Sequence, residues 1–197
     1  NDSSFKPEIG LVVIMKKKEE MVRIIKLETR KRLIIFVRYL VLIIKRLEAG
    51  NAVYFYGLEN DNGYCSNFSK HSIEVEGKIY KTVEAFYQSS KFEDPEIKEK
   101  IRLASSPAAC KSLARRKKEF IRCDWEMIKV NVMKKGVRHK FSQHPDILEQ
   151  LLATEGVIIE NAMFDSYWGC GADSIGLNML GHLLVELRDE LNSVSTE

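Results

Sequence analysis

The sequence predicts a helix-dominated α+β protein: a single domain with a small β-sheet near its start. Short segments rich in aromatic or alternating apolar residues, such as AVYFYG at 52–57, are typical of strands. After Thr82, helical spacing of apolar residues dominates, and Asp-Pro or Ser-Pro pairs mark helix starts. The 197 residues suffice to bury a core, and their 45% hydrophobic and 30% charged content is typical of a soluble globular protein.

The first elements of the domain are strands and loops. After the strand at 52–57, ENDNGYCSNFS at 59–69 is polar and rich in turn formers, which predicts a loop. SIEVEGKIYKT at 72–82 alternates apolar residues around Glu76-Gly77, which predicts a small hairpin.

The later elements are mainly helices. Four residues are expected to cap the helices that follow them: Thr82, Asp94, Ser106 and Asp124. Pro145 is expected to open a further helix, and VIIE at 157–160 a brief strand. Five leucines predict one buried stripe on a last helix: Leu177, Leu180, Leu184, Leu187 and Leu191.

Residues 1–50 differ in composition from the rest, because basic residues are mixed with β-branched apolar ones. The apolar run 33–44 is interrupted by Arg38 and is shorter than the ~20 residues that a membrane span needs, so no transmembrane span is expected. Three interpretations stay open: a helix packed on the main domain, a basic amphipathic helix at a membrane surface, or an extension without a role in the fold. We therefore expect an extension at 1–50, the main domain at 51–193 and a tail at 194–197.

The net charge and the cysteines bear on three questions: nucleic-acid binding, metal binding and the location of the protein in the cell. The net charge of +3 is too small to predict nucleic-acid binding by itself. The four cysteines form no C-x-x-C pair and lie at no metal-finger spacing from the four histidines, so no metal site is expected. Free thiols and no visible secretory signal predict a cytoplasmic protein.

Four polar clusters could carry chemistry. They are the loop residues 66–68; the set Glu84, Gln88 and Lys91, whose spacing places them on one helix face; the basic run 115–118 with the nearby Trp125; and the segment 165–178, rich in glycine and aromatic residues. Three of these clusters also have a plainer interpretation. Glu84 could be a surface acid favoured by the helix dipole, the basic run a solvated helix end, and Trp168 a core residue.

In this order, the segments from Tyr54 to Leu191 resemble the YbiA-like, or NADAR, family of N-glycosidases. The most specific pieces are E-x-x-x-Q-x-x-K-F at 84–92, D-x-x-W-G-x-G at 165–171 and G-x-N-x-L-G at 176–181. The resemblance implies hydrolysis of an N-glycosidic bond. Family members cleave the base from phosphorylated ribose in early riboflavin-pathway intermediates, and others in the wider family remove ADP-ribose from modified guanine in nucleic acid.

The resemblance also implies which residues act. Glu84 and Asp165 would be the catalytic pair, with Glu84 polarising the substrate or activating water. Asp165 would be the other acid–base group or would hold the ribose hydroxyls, and the two roles could be exchanged. A carboxylate suits this reaction because positive charge develops on the sugar as the C–N bond breaks.

The remaining expected substrate-binding residues offer amides, cations, aromatic rings or close backbone approach: Asn67, Phe68, Gln88, Lys91, Arg115, Trp125, Trp168, Gly169 and Asn178. No metal or redox cofactor is expected, because hydrolysis at an anomeric carbon needs neither.

Three functions stay open at this point. The first is hydrolysis of phosphorylated riboflavin-pathway intermediates, with a small nucleotide-like molecule as the partner. The second is an ADP-ribosyl glycohydrolase acting on modified guanine, which the basic run 115–118 favours and which would add a nucleic-acid partner. The third is a nucleotide-binding module without catalysis, suggested by Ala85 where family members usually carry His. The sequence leaves the oligomeric state open.

Overall fold

The computed structural model describes residues 52–58, 61–172 and 174–194. These residues form the helix-dominated α+β fold that the sequence predicts. The expectations for residues 1–50 and for the tail beyond residue 194 lie outside the described residues.

The strands in the described ranges form two separate two-stranded sheets. Strand β1 (Val53–Phe55) pairs with a strand from the far end of the domain, described below. Strands β2 (Ile73–Val75) and β3 (Lys78–Tyr80) form the predicted antiparallel hairpin. The turn residues Glu76 and Gly77 both have positive φ, 53° and 73°, as a two-residue hairpin turn requires.

The helices of the described part follow in chain order: α1 (Val83–Ser89), α2 (Pro95–Arg102), α3 (Pro107–Arg116), α4 (Trp125–Gln143), α5 (Pro145–Leu152) and α6 (Met179–Val194). Strand β4 (Ile158–Glu160) lies between α5 and α6 and pairs in parallel with β1, Val53 opposite Ile158. This pairing joins the start of the domain to its end. No helix among the described residues is long and apolar enough to cross a bilayer.

Three of the four predicted helix caps are confirmed, since the side chains of Thr82, Asp94 and Ser106 each accept a backbone N–H of the helix that follows. Asp124 precedes α4, but the prediction that its side chain caps this helix is wrong. Its carboxylate instead accepts from Arg122, with Nε and Oδ1 2.5 Å apart. The guanidinium offers a charge-assisted, two-pronged contact that competes with capping.

The leucine stripe is confirmed from Leu180 onward, and Leu180, Leu184 and Leu187 are almost completely buried. Leu177 was expected on the same helix, but α6 begins only at Met179. Asn178 has a φ of +48°, which is outside the right-handed helical region, so the helix cannot extend back to Leu177.

Helix α1 is buried along its whole length, packed against α2, α3 and α4. Gly136 of α4 allows the close approach, because a Cβ there would lie 2.9 Å from Val83 Cγ1. The central position of α1 places its polar residues Glu84 and Gln88 inside the protein rather than on its surface.

Candidate active site

A cavity of about 820 Å³ lies beside the first turn of α1. Its wall is built from α1, α3, the loop 66–68, the ends of β1 and β4, and the segment 164–168. Its charged and aromatic lining residues are three acids, three cations and five rings: Glu84, Glu160, Asp165, Lys91, Lys111, Arg115, Tyr56, Phe68, Tyr87, Phe164 and Trp168. The cavity therefore combines groups that can bind a charged and partly planar molecule.

Glu84 is only 3% exposed, so it is not the surface acid of the plainer interpretation. Asn67 Nδ2 donates to its Oε2 at 2.5 Å, and Gln88 Nε2 donates to its Oε1 at 2.8 Å. Burial raises the pKa of Glu84, and the Gln88 hydrogen bond opposes that rise. Donors on both oxygens favour the ionised carboxylate, as does its place at a helix N-terminus.

The loop that carries Asn67 is fixed at both α1 and α4. The carbonyl of Asn67 accepts the backbone N–H of Glu84 at 2.9 Å. Lys140 of α4, fully buried, donates to the carbonyls of Tyr64 at 2.6 Å and Ser66 at 3.0 Å. Burial lowers the pKa of Lys140 to about 7. The segment predicted as a plain polar loop is thus largely buried and holds an amide against Glu84.

Asp165 lies in the segment between β4 and α6. Its Oδ1 accepts the backbone N–H groups of Trp168 at 2.8 Å and Tyr167 at 3.1 Å, which is a side-chain turn of the Asx type. Asp165 does not lie at the start of a helix, because α6 begins only at Met179. The turn itself, rather than a helix end, orients this carboxylate.

Trp168, expected to bind substrate, lines the cavity with its ring edge-on to Tyr87 at 5.5 Å between centroids. Trp125 does not: it is 6% exposed and packs behind Tyr87, 5.0 Å between ring centroids. Trp125 was expected to bind substrate, but in the structure it supports a residue of the cavity wall instead of lining the cavity. The Trp125 ring packs against the ring of Tyr87, and its centre lies 5.6 Å from Lys91 Nζ.

Gly169 and Asn178 were also expected to bind substrate, and neither is on the cavity wall. Asn178 is 2% exposed; its Nδ2 donates to Ile158 O at 2.8 Å and its Oδ1 accepts the N–H of Glu160 at 2.9 Å. Gly169 is packed so closely that a Cβ would lie 2.7 Å from the Cβ of Ala162. Both residues hold the segment after β4 in place instead of reaching the cavity.

The cationic side of the cavity comes from the residue just beyond the end of α1 and from α3. Lys91, just beyond α1, is half-buried, with Nζ 5.2 Å from the Tyr87 ring centre, and burial lowers its pKa. Arg115 and the unpredicted Lys111 project from α3, with Ser112 between them. The basic run 115–118 is exposed, as the plainer interpretation expects, but Arg115 also lines the cavity.

Glu160 is the acid that the sequence analysis missed. It ends β4, lines the cavity, and its pKa is raised to about 7 by burial and then by the neighbouring charges of Asp165 and Glu84. The available signal was a carboxylate ending the otherwise apolar segment VIIE. In the described part of the chain, no group of three or more His, Cys, Asp or Glu side chains is arranged to hold a metal ion.

Comparison with known proteins identifies the family. The family model of the NADAR domain matches residues 54–192. N-glycosidase YbiA of Escherichia coli (strain K12) is 41% identical over 138 residues, which are 70% of this chain and 86% of the relative. Riboflavin biosynthesis protein VVA0006 of Vibrio vulnificus (strain YJ016) is 38% identical over 140 residues, 71% of this chain and 38% of that longer protein.

The NMR structure of the Escherichia coli protein YbiA matches with a TM-score of 0.70 at 38% identity, covering 75% of this chain and 88% of that one. The α+β fold shared with YbiA and the relatives named N-glycosidase define an enzyme that hydrolyses N-glycosyl bonds. The chain belongs to the NADAR domain family, which confirms the resemblance seen in the sequence. Ala85, the departure that suggested a module without catalysis, is buried in the core and is not on the cavity wall.

Proposed function

We propose that this protein hydrolyses the C–N bond between base and ribose in a phosphorylated intermediate of the riboflavin pathway. The observation that carries the proposal is that Glu84 and Asp165, far apart in sequence, line one cavity together with three cations and Trp168. A relative named as a riboflavin biosynthesis protein supports this choice of substrate. The catalytic domain would be residues 51–193, which contain the family match at 54–192, with 1–50 as an extension.

Glu84 and Asp165 can stabilise the transition state of this reaction. The sugar becomes cation-like as the C–N bond breaks, so anionic carboxylates in a shielded cavity stabilise it. Glu84 also activates the attacking water, because its two oxygens are fixed by Asn67 and Gln88. Asp165, oriented by its turn, holds the ribose hydroxyls.

Substrate binding uses the rest of the wall. Lys111 and Arg115, from the same side of α3, bind the phosphate together with Lys91. Trp168 offers a ring for the planar base. Gln88 Oε1 is buried and has no hydrogen-bond partner among the described residues, so it can accept an N–H or O–H of the substrate.

The test is release of ribose phosphate from a phosphoribosylated aminopyrimidine, measured for the parent, Glu84→Gln and Asp165→Asn. Each variant keeps the side-chain size, and we expect a loss of about 100-fold or more in kcat/KM. Glu149→Gln, at an exposed position of α5 away from the cavity, is the matched control and should retain parental activity. Parental rates in both site variants would refute the assignment of these carboxylates.

A second candidate is hydrolysis of ADP-ribose from modified guanine in nucleic acid. The exposed basic run 115–118 favours it, because this run begins on the cavity wall and continues outward. Phosphate contacts made by these residues would make turnover of a modified oligonucleotide fall steeply with salt. Turnover that does not change with salt, or none, would exclude this candidate.

A further inference from the structure

Glu160 is the third carboxylate on the cavity wall, and the roles described above leave it unused. Its backbone is fixed on both sides: its N–H donates to Asn178 Oδ1, and its carbonyl accepts the N–H of Cys170, each at 2.9 Å. It also pairs with Phe55 across the parallel sheet. The side chain therefore projects from a rigid strand end into the cavity.

The three carboxylates differ in the donors that they accept. Glu84 accepts two side-chain amides, and Asp165 accepts two backbone N–H groups. The structure gives the carboxylate of Glu160 no hydrogen-bond donor among the described residues. Because donors stabilise the anionic form of a carboxylate and Glu160 accepts none from the described residues, Glu160 is the member of this cluster best placed to carry a proton.

We propose that Glu160 is the general acid of the reaction and donates its proton to the glycosidic nitrogen as the C–N bond breaks. This inference rests on the proposed function. The electron pair of the broken bond stays on nitrogen, which takes the proton of Glu160. The oxygen of water bonds to the anomeric carbon, and its proton passes to Glu84. The free base and the sugar phosphate leave, and exchange with solvent returns a proton to Glu160 and removes one from Glu84.

The surroundings of Glu160 agree with this role. Burial raises its pKa first, followed by the charges of Asp165 from the segment before α6 and Glu84 from α1, while Lys111 of α3 lowers it. The resulting pKa of about 7 keeps a large fraction protonated at neutral pH. A general acid works only while it holds its proton, so the activity of the parent should fall as pH rises through about 7.

The experiment compares Glu160→Gln with the parent on two substrates across pH. One is a phosphoribosylated aminopyrimidine, whose amine is a poor leaving group unless protonated. The other is nicotinamide mononucleotide, whose pyridinium leaves as a neutral base and needs no proton. We expect Glu160→Gln to lose about 100-fold in kcat/KM on the first, to lose far less on the second, and to lack the alkaline fall. Glu155→Gln, exposed and away from the cavity, should behave as the parent.

Equal losses on both substrates, or an alkaline limb that persists in Glu160→Gln, would overturn the proposal. Carbon-13 NMR of glutamate-labelled parent measures the protonation of Glu160 without turnover, with the resonance assigned by its absence in Glu160→Gln. Titration near 7 supports the general acid, and titration below about 5, the range of an ordinary glutamate, refutes it. If the parent cleaves neither substrate, the proposed function fails, while the NMR titration still decides the state of Glu160.

Discussion

Gly181, in the first turn of α6, faces β4 so closely that there is no room for a side chain. A Cβ at this position would lie 2.0 Å from the carbonyl oxygen of Ile158 and 2.4 Å from Asn178 Nδ2. Since the first of these atoms is backbone, it cannot move aside without moving the strand. Gly181→Ala should therefore push α6 away from β4 and separate Asn178 from the two backbone groups that it holds there.

The size of the effect follows from competing contributions. Alanine is favoured over glycine by about 1 kcal/mol in a helix interior, which is the upper limit of the gain for Gly181 in the first turn of α6. Against this stand two hydrogen bonds of Asn178, each contributing about 1 kcal/mol, and overpacking that costs about 1–3 kcal/mol. The losses exceed the gain, and we expect the free energy of unfolding to fall by about 2–4 kcal/mol.

The assay is urea denaturation followed by circular dichroism, with Gly136→Ala as the matched control. Gly136 lies in the middle of α4, where alanine has its full helix-propensity gain, but a Cβ there meets side-chain atoms of Val83 and Phe86 at 2.9 and 3.0 Å. Side chains adjust more easily than backbone, so this variant should lose clearly less stability. A midpoint for Gly181→Ala equal to that of the parent, or of Gly136→Ala, would refute the reasoning.

Three further predictions test the surroundings of the cavity. Trp125→Ala should lower the free energy of unfolding, measured by urea denaturation, by about 3–5 kcal/mol, because its ring is buried. Trp168→Ala should mainly raise KM, measured by steady-state kinetics, severalfold, because its ring lines the cavity. A larger loss of stability for Trp168→Ala and a larger rise in KM for Trp125→Ala would show that the two rings are wrongly placed. Asn67→Ala removes a donor from Glu84 and so raises the pKa of that acid further; the acidic limb of the pH–rate profile should move to higher pH, and an unchanged limb would exclude the contact. The pKa of Lys140 falls from its ordinary 10.5 to about 7 on folding, so between these values only the unfolded chain holds the proton. Stability should therefore rise with pH above 7, by about 1 kcal/mol per unit relative to Lys140→Met, and parallel pH curves for the two proteins would contradict it.

The sequence predicted best those features that depend on a few neighbouring residues. The turn at Glu76-Gly77 and the caps at Thr82 and Ser106 are examples, since each is decided within four residues of chain. Asp124 failed because a second local partner, Arg122, competes for the same carboxylate. The preference of Asp for capping positions does not show whether its carboxylate will accept the backbone N–H groups of the helix or the guanidinium of Arg122.

The candidate site was only partly predictable, because its wall is assembled from distant segments. Glu84 and Asp165 were found through the resemblance, not through their spacing. Glu160 enters the cavity because β4 pairs with β1, and that long-range pairing has no local signal. Lys111 was overlooked since an exposed lysine on a helix is normally a solvated residue, and only the packing of α3 directs it to the cavity.

The buried Lys140 shows why the support of this site needs a particular side chain. The carbonyls of Tyr64, Cys65 and Ser66 and the hydroxyl of Ser69 converge on its Nζ, at 2.6, 3.4, 3.0 and 3.4 Å. The amino group of lysine places its N–H donors around a single atom, which suits acceptors that converge on one point better than the flat fork of arginine does. The contacts fix the loop that brings Asn67 to Glu84, so a residue of α4 that is not on the cavity wall governs the carboxylate proposed to activate water.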